Sequence, residues 1–568
     1  MNLMKQRLKV AIVIVATFCM TVPQIYGQSY RLPLNLTPSL SGNFGELRAT
    51  HFHGGLDFRV GGVSGAPVYS VYDGYISRVS VSPSGYGHAV YIQHPNGRTT
   101  VYGHLMAFSP AVEQWVRKNQ YEKESFSVTL VPDSTLFRVK KGDLIGKAGN
   151  TGSSGGPHLH FEIRNSATEI TLDPAKECGY SIPDAIAPVI ERISLYGISG
   201  SKSLPVRSFI KSFTPAEKIV SAIEVADTFY LAVGAIDRMN GSGARFAVHA
   251  YRFYLDNEQI FSFNTSGISF EKGRYINSIL EYPQKENFNR SMVKSWVEPG
   301  SALRGNITSK NEGLFVLLDD IEHTIRVELE DNSENKTTKN FRVKRNSRLN
   351  PALPDSAALS KGMIMPWYIP NVWERGSVKI ELPVGSLYSS ILFAADSVSS
   401  YADGFPVWNL HSSSTPLHSG ARISVKANVP SQFREKAFIA YVSENGRLSY
   451  RGGEWKGERL ESGFSQFGRY TISYDTIQPK VVPAFKEGAN IAGGKSLRFT
   501  IFDEMSGVSS YRVTIDGKWV LASYDPKTRS LVADLSTARL QRGKRYKTEI
   551  SVTDNRNNVT TLTREFIW

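Results

Sequence analysis

Between residues 60 and 165 apolar and polar positions alternate in short runs. Pro67–Val71, Tyr75–Val81, Ala89–Gln93 and Arg98–Tyr102 each carry the period of two that puts successive side chains on opposite faces of a strand. Turn formers separate them: Asp73-Gly74, Pro83-Ser84-Gly85 and Pro95-Asn96-Gly97. The pattern predicts antiparallel hairpins. One stretch breaks it. From Pro110 to Asn119, Val112, Trp115 and Val116 fall on one face of a helix that opens with proline, and Phe126–Val131 then returns to strand. At His158–Arg164 the alternation is complete, with Leu159, Phe161 and Ile163 on one side and His158, His160 and Glu162 on the other.

After Asp173-Pro174 the pattern is almost entirely short strands, and two parts of it repeat. Asp184–Pro188 parallels Asp475–Pro479, and Asp237–Gly241 parallels Asp503–Gly507. Tyr251-Arg252 with Leu255-Asp256 parallels Tyr511-Arg512 with Ile515-Asp516, and DNSENKTT from Asp331 parallels DNRNNVTT from Asp554. Matches in one order predict two copies of one β-domain, and turns every 8–12 residues or so suggest immunoglobulin-like sandwiches. The Pro- and Ser-bearing stretch Arg348–Lys361 reads as a linker. Beyond it, Val378–Leu382, Ile423–Val429 and Ala437–Val442 predict a third β-rich unit, sandwich-like and no more specific. The chain is too long at 568 residues for one core. The expected division is 1–27, 28–180, 181–346, 347–474 and 475–568, mainly β throughout.

The first segment reads as a leader. Lys5, Arg7 and Lys9 precede an apolar run from Val10 to Val22, and Gly27 offers a cleavage point before Gln28. This is the layout of a signal peptide, with an uncleaved anchor as the other reading. No other stretch is apolar enough to span a bilayer, so the mature chain is expected to lack a transmembrane segment. Cys19 leaves with the leader and Cys178 stands alone, so no intrachain disulfide is expected. Export without disulfides points to a bacterial envelope. The net charge of +14 suits an anionic partner such as cell-wall polymer. No interleaved basic and aromatic motif supports nucleic acid.

Seven of the eleven histidines lie between His51 and His160, which marks that segment for chemistry. Three constellations stand out: His53-Gly54-Gly55-Leu56-Asp57, Tyr102-Gly103-His104-Leu105, and His158-Leu159-His160 within GNTGSSGGPHLHFEIR. An isolated H-x-H is more often a polar strand face than a site. Here the first motif's histidine and aspartate, with one histidine of the third, supply three protein ligands and leave a position for water. Two histidines remain for proton transfer or oxyanion binding. There is no H-E-x-x-H, so histidine would have to replace the glutamate base of that metalloprotease class.

In this order, HxxxD, aromatic-x-H-L and G-x-T-G…G-P-H-L-H-F-E resemble the lysostaphin/LytM-type zinc endopeptidases that cut peptidoglycan. The resemblance covers roughly residues 40–175. It implies an antiparallel β-sheet peptidase domain holding one Zn2+ per chain through His53, Asp57 and His160, with His104 and His158 as the catalytic pair. Latent members carry an upstream asparagine on the zinc. Asn43 lies only ten residues before His53, and that role is not carried over. The family pattern is interrupted at about 108–138, an insertion readable as a groove wall, a regulatory cap or a packing feature. His51 is expected beside the ligands without joining them. His88 and His94 are expected as hairpin residues, Arg59 and Tyr102 at the groove, and Glu162 as a charged residue on a polar face.

The expected function is a secreted zinc metalloendopeptidase hydrolysing peptide cross-links of peptidoglycan, in the periplasm or envelope of a Gram-negative bacterium. A D-Ala–diaminopimelate bond is the expected target, with oligoglycine bridges or a protein as other substrates. The alternative is a non-catalytic envelope scaffold or amidase regulator that keeps the fold. Such proteins usually lose some of the five site positions, and this chain keeps them all. The β-domains could bind envelope proteins or glycans, act as spacers, or dock on the peptidase domain. Sandwich architecture alone decides none of these.

Overall fold

A computed structural model of the chain describes residues 29–400 and 404–568. The expected leader, with Cys19, lies outside them. No helix among the described residues is long and apolar enough to cross a membrane.

The N-terminal domain is built from strands β1 (Leu40–Gly42), β2 (Leu56–Arg59), β3 (Pro67–Tyr69), β4 (Gly74–Val81), β5 (Ala89–Gln93), β6 (Arg98–Gly103) and β7 (Leu105–Phe108), then helix α1 (Pro110–Glu122). Strands β8 (Val128–Leu130), β9 (Arg138–Val139), β10 (Leu144–Ala148), β11 (His158–Asn165) and β12 (Thr171–Leu172) follow. Among the described residues the main sheet runs β1-β2-β11-β6-β5-β4-β8, with β12 on β11 and β9 on β4; a smaller sheet runs β3-β10-β7. Both sheets supply side chains to one core that holds Leu159, Phe161 and Ile163. A bulge at Ser77 lets Ile76 and Val79 face that core together: Ile76 pairs with Ile92, but Arg78 pairs with Tyr91. Within the expected insertion, α1 runs to Glu122, beyond the predicted Asn119, and β8 covers only the middle of Phe126–Val131. β8 extends the main sheet at β4.

The rest of the chain forms sheets facing each other across apolar cores, with separate clusters around Phe253, Ile423 and Phe499. The repeated segments form equivalent hairpins: Asp256 and Asp516 both turn with φ near 46° after strands Ala250–Leu255 and Val508–Ile515. The expected linker is partly helical, with Ser356–Lys361 capped by Asp355.

The domains interlock. Phe52 leaves the N-terminal domain for the core of the first sandwich, packing on Phe263 with ring centroids 6.1 Å apart. Met239 and Phe246 of that sandwich return into the N-terminal core. Helix α1 meets the last sandwich: Tyr121 packs edge-on against Trp519, and Arg117 pairs with Asp534 at 2.7 Å. The turn after Asp525 reaches the Gly149–Pro157 loop, where Lys527 Nζ donates to the carbonyls of Asn150 (2.9 Å) and Ser154 (3.0 Å).

Candidate metal centre

Strand β11 lies between β2 and β6, and its register sets the centre. His160 is directly opposite Asp57 on β2 and Gly103 on β6. The apolar side of β11 is locked into the core, so His158 and His160 are forced onto the other face. His53 arrives on the turn before β2. That turn needs Gly55, where a Cβ would lie 2.3 Å from the Phe161 carbonyl oxygen. Gly152 is equally constrained, at φ +70° and against Gly87, and it shapes the loop beside the histidines.

His53 Nε2, Asp57 Oδ1 and His160 Nδ1 converge in a buried cluster. His53 Nε2 lies 3.0 Å from His160 Nδ1 and 3.1 Å from Asp57 Oδ1, and His160 Nδ1 is 2.9 Å from that oxygen. The outer nitrogens set the tautomers. His53 Nδ1 is 2.7 Å from the Asn43 carbonyl, which only accepts, so Nδ1 carries the hydrogen and Nε2 turns a lone pair inward. His160 Nε2 donates to Glu162 Oε1 at 2.8 Å, which leaves Nδ1 inward. Neutral imidazoles held this way point two lone pairs and a carboxylate oxygen at one another, an arrangement that calls for a cation. Without a metal the centre takes a proton. Burial lowers the His160 pKa, but hydrogen bonds to Asp57 and Glu162 outweigh it and hold the ring at about 9. Asp57 is held well below the carboxylate range: burial opposes this, and the three surrounding histidines prevail.

His158 and His104 stand beside this cluster with ring centroids 4.8 Å apart. His158 Nδ1 donates to the Gly156 carbonyl at 2.8 Å, and its Nε2 is 3.4 Å from Asp57 Oδ1. His104 Nδ1 donates to the Thr151 carbonyl at 2.8 Å. His104 has φ +58°, a left-handed conformation that costs a non-glycine residue about 1–2 kcal/mol. Burial, reinforced by His160 and His158, pushes its imidazole down to about 3, so it is neutral near pH 7.

Other expectations change. Glu162 is not a surface charge; it is 1% exposed and receives Tyr86 Oη at 2.6 Å and Arg164 Nε at 2.7 Å besides His160. Burial alone would raise its carboxyl, but Arg164 and then His160 hold it down at about 2. The face it shares with His158 and His160 was its one sequence signal. Tyr102 does not border the groove: it is fully buried, its hydroxyl accepting from the Val71 amide. Arg59 bonds the Leu40 carbonyl and reaches Ser242 of the first sandwich. Arg48, which no motif marks, donates to the outer oxygen of Asp57 at 2.7 Å. The Asn43 side chain pairs with the Ala247 backbone, away from the cluster. His51 is exposed and His94 bonds Thr100 Oγ1 and the Asp73 carbonyl.

Comparison with known proteins decides the domain. The profile of Peptidase family M23 matches residues 51–121 and 134–174, which include all five residues. The N-terminal domain is an M23, LytM-type peptidase domain. The gap in the match falls inside the expected insertion, so α1 up to residue 121 is within the matched part of the M23 domain. A Zu5-like domain matches residues 362–475, the unit whose fold its sequence left unnamed. The DD-carboxypeptidase/endopeptidase Mpg of Neisseria meningitidis serogroup B is 36% identical over 118 residues, 21% of each chain. The peptidoglycan DD-endopeptidase ShyA of Vibrio cholerae is 34% identical over 111 residues, 20% of each chain. A zinc-containing peptidase from Vibrio cholerae is similar in structure at 28% identity, over 27% of this chain and 41% of that one, with a TM-score of 0.19. The chain thus spans about a fifth of the length of these curated relatives.

Proposed function

We propose that the chain is a zinc metalloendopeptidase that hydrolyses peptide cross-links of bacterial peptidoglycan. The observation that carries this reading is the inward set of His53, Asp57 and His160 with two further histidines at its edge. Three donors on a tetrahedral zinc stand roughly 3.3–3.5 Å apart. The separations here are 2.9–3.1 Å, and the donors are two imidazole nitrogens and a carboxylate oxygen, a set that suits zinc. Zinc held by these residues would polarise the scissile carbonyl and acidify the attacking water.

The remaining chemistry is assigned to the protein's own groups. Asp57 has one oxygen toward the centre, and Arg48 on its other oxygen keeps it oriented. Glu162 fixes the ring of His160. His158 and His104 keep their Nδ1 protons on backbone carbonyls, which leaves Nε2 of each ring as the atom that can accept a proton. One Nε2 accepts the proton of the attacking water and returns it to the leaving amine. The named activities of Mpg and ShyA favour a DD cross-link as the substrate. We also assign the chain to the envelope of a Gram-negative bacterium, and read the two repeated sandwiches as immunoglobulin-like.

The test uses purified residues 28–568 on isolated sacculi, with released muropeptides read by mass spectrometry. Loss of cross-linked dimers that requires zinc and His158 is expected. Zinc-loaded protein that leaves the dimers intact would favour the scaffold reading instead.

A further inference from the structure

Three aspartates far apart in sequence meet where the M23 domain joins the first sandwich. Asp184 lies on the connecting segment, Asp237 follows strand Thr228–Ile236, and Asp331 follows strand Glu322–Glu330. One carboxylate oxygen of each lies within 4.8 Å of the others. Among the described residues none of the three forms an ion pair with a basic side chain. Asp331 is satisfied by the amides of Ser333 and Asn335 and by the Asn335 side chain. Asp184 uses Oδ1 to accept from the Ile186 amide, and its Oδ2 lies near the Ser333 side chain without a well-formed hydrogen bond. Asp237 is fully buried, and neither of its carboxylate oxygens has a hydrogen-bond partner.

A buried, unpartnered carboxylate has lost its hydration and received nothing in return. Burial, with the charges of Asp331 and Asp184 added and only the adjacent Arg238 amide opposing, pushes Asp237 up to about 8. Either the group keeps a proton or a cation completes it. The sequence repeat supplies an internal comparison. Asp475, Asp503 and Asp554 form the same triad in the last sandwich. There the amides of Met505, Ser506 and Gly507 all donate to Asp503 Oδ2, at 2.8–3.0 Å. The corresponding loop of the first sandwich, Met239-Asn240-Gly241, puts no amide on Asp237. Its Asn240 accepts from the Ala185 amide instead.

We propose that Asp184, Asp237 and Asp331 bind a hard divalent cation, calcium, at the joint between the M23 domain and the first sandwich. The donors are all oxygen, which disfavours zinc, and a set drawn from three separate segments suits the loose geometry of calcium better than the strict octahedron of magnesium. The ion would tie together the segments that set the angle between the domains. Asp237 closes the loop that sends Met239 and Phe246 into the M23 core, through paired backbone bonds with Phe246 at 2.9 and 3.0 Å. Asn332, next to Asp331, donates to Asp173 and accepts from Asn43, whose carbonyl holds His53.

The test uses the zinc-loaded mature chain, dialysed against about 1 mM calcium and separately against about 1 mM magnesium, with bound metal counted by mass spectrometry. Wild type and Asp503→Asn are expected to retain about one calcium per chain, and Asp237→Asn none. Calcium should raise the melting temperature of wild type and leave Asp237→Asn unmoved. In calcium-free buffer Asp237→Asn should melt no lower than wild type, because a neutral amide then replaces a carboxyl that keeps its proton. If Asp237→Asn does not fold, Asp184→Asn at the partly exposed position serves, with calcium binding weakened about tenfold or more. Folded wild type without calcium, or calcium bound as tightly by the Asp237 and Asp184 variants as by wild type, would overturn the site. Retention of magnesium in place of calcium would overturn the choice of ion.

Discussion

Replacing Glu162 by glutamine tests whether the buried carboxylate behind His160 serves the metal or only the fold. The amide keeps the size and one acceptor for His160 Nε2, and it removes the charge. Arg164, with a side chain 6% exposed, then keeps the exposed Glu169 and the Tyr86 hydroxyl as partners. Holding this carboxyl at about 2 instead of the ordinary 4.5 corresponds to roughly 3 kcal/mol of stability. The carboxyl is depressed in the folded state. Its contribution is therefore complete above about pH 4.5 and fades as the pH falls toward about 2. The variant should lack it at pH 7. Loss of the charge also makes His160 a weaker donor, and zinc affinity should fall about 10–100-fold, or about 1.4–2.7 kcal/mol. Competition with a chromophoric chelator measures the affinity, and denaturant unfolding measures the stability. Lower stability with zinc affinity within about twofold of wild type would refute the positioning role.

Zinc binding near pH 7 should release about one proton from His160, and affinity should climb with pH until about 9 and then level. Calorimetry in buffers of different ionisation enthalpy reads this, and binding without proton release would refute it. His104→Ala and His158→Ala should each keep zinc while losing about 10²–10⁴ in turnover, whereas His160→Ala should lose the metal. Zinc missing from either of the first two would move that residue into the ligand set. Lys527→Ala removes two hydrogen bonds from the loop that orients both histidines, at about 1–3 kcal/mol in all. Amide exchange across residues 149–157 should rise about 5–100-fold at unchanged zinc content, and an unchanged rate would show that the docked turn does not hold the loop.

What the chain determined by itself is local. A period of two through His158–Arg164 puts two histidines on one face whatever surrounds them, because strand side chains alternate. Glycine in H-G-G-L-D and a turn before each hairpin were equally visible, and the repeated aspartate segments announced two related domains. Which face is covered, and by what, was decided in three dimensions. Glu162 looked like a surface charge because Tyr86, which helps cover it, is 76 residues away. Tyr102 looked like a groove residue because its hydroxyl partner, the Val71 amide, is 31 residues away. The exchange of Phe52 for Met239 and Phe246 between cores left no periodic trace, since an apolar residue reads the same whichever core receives it. The three aspartates at the joint were legible as a repeat but not as a cluster, because carboxylates meet only when separate strands end at the same place.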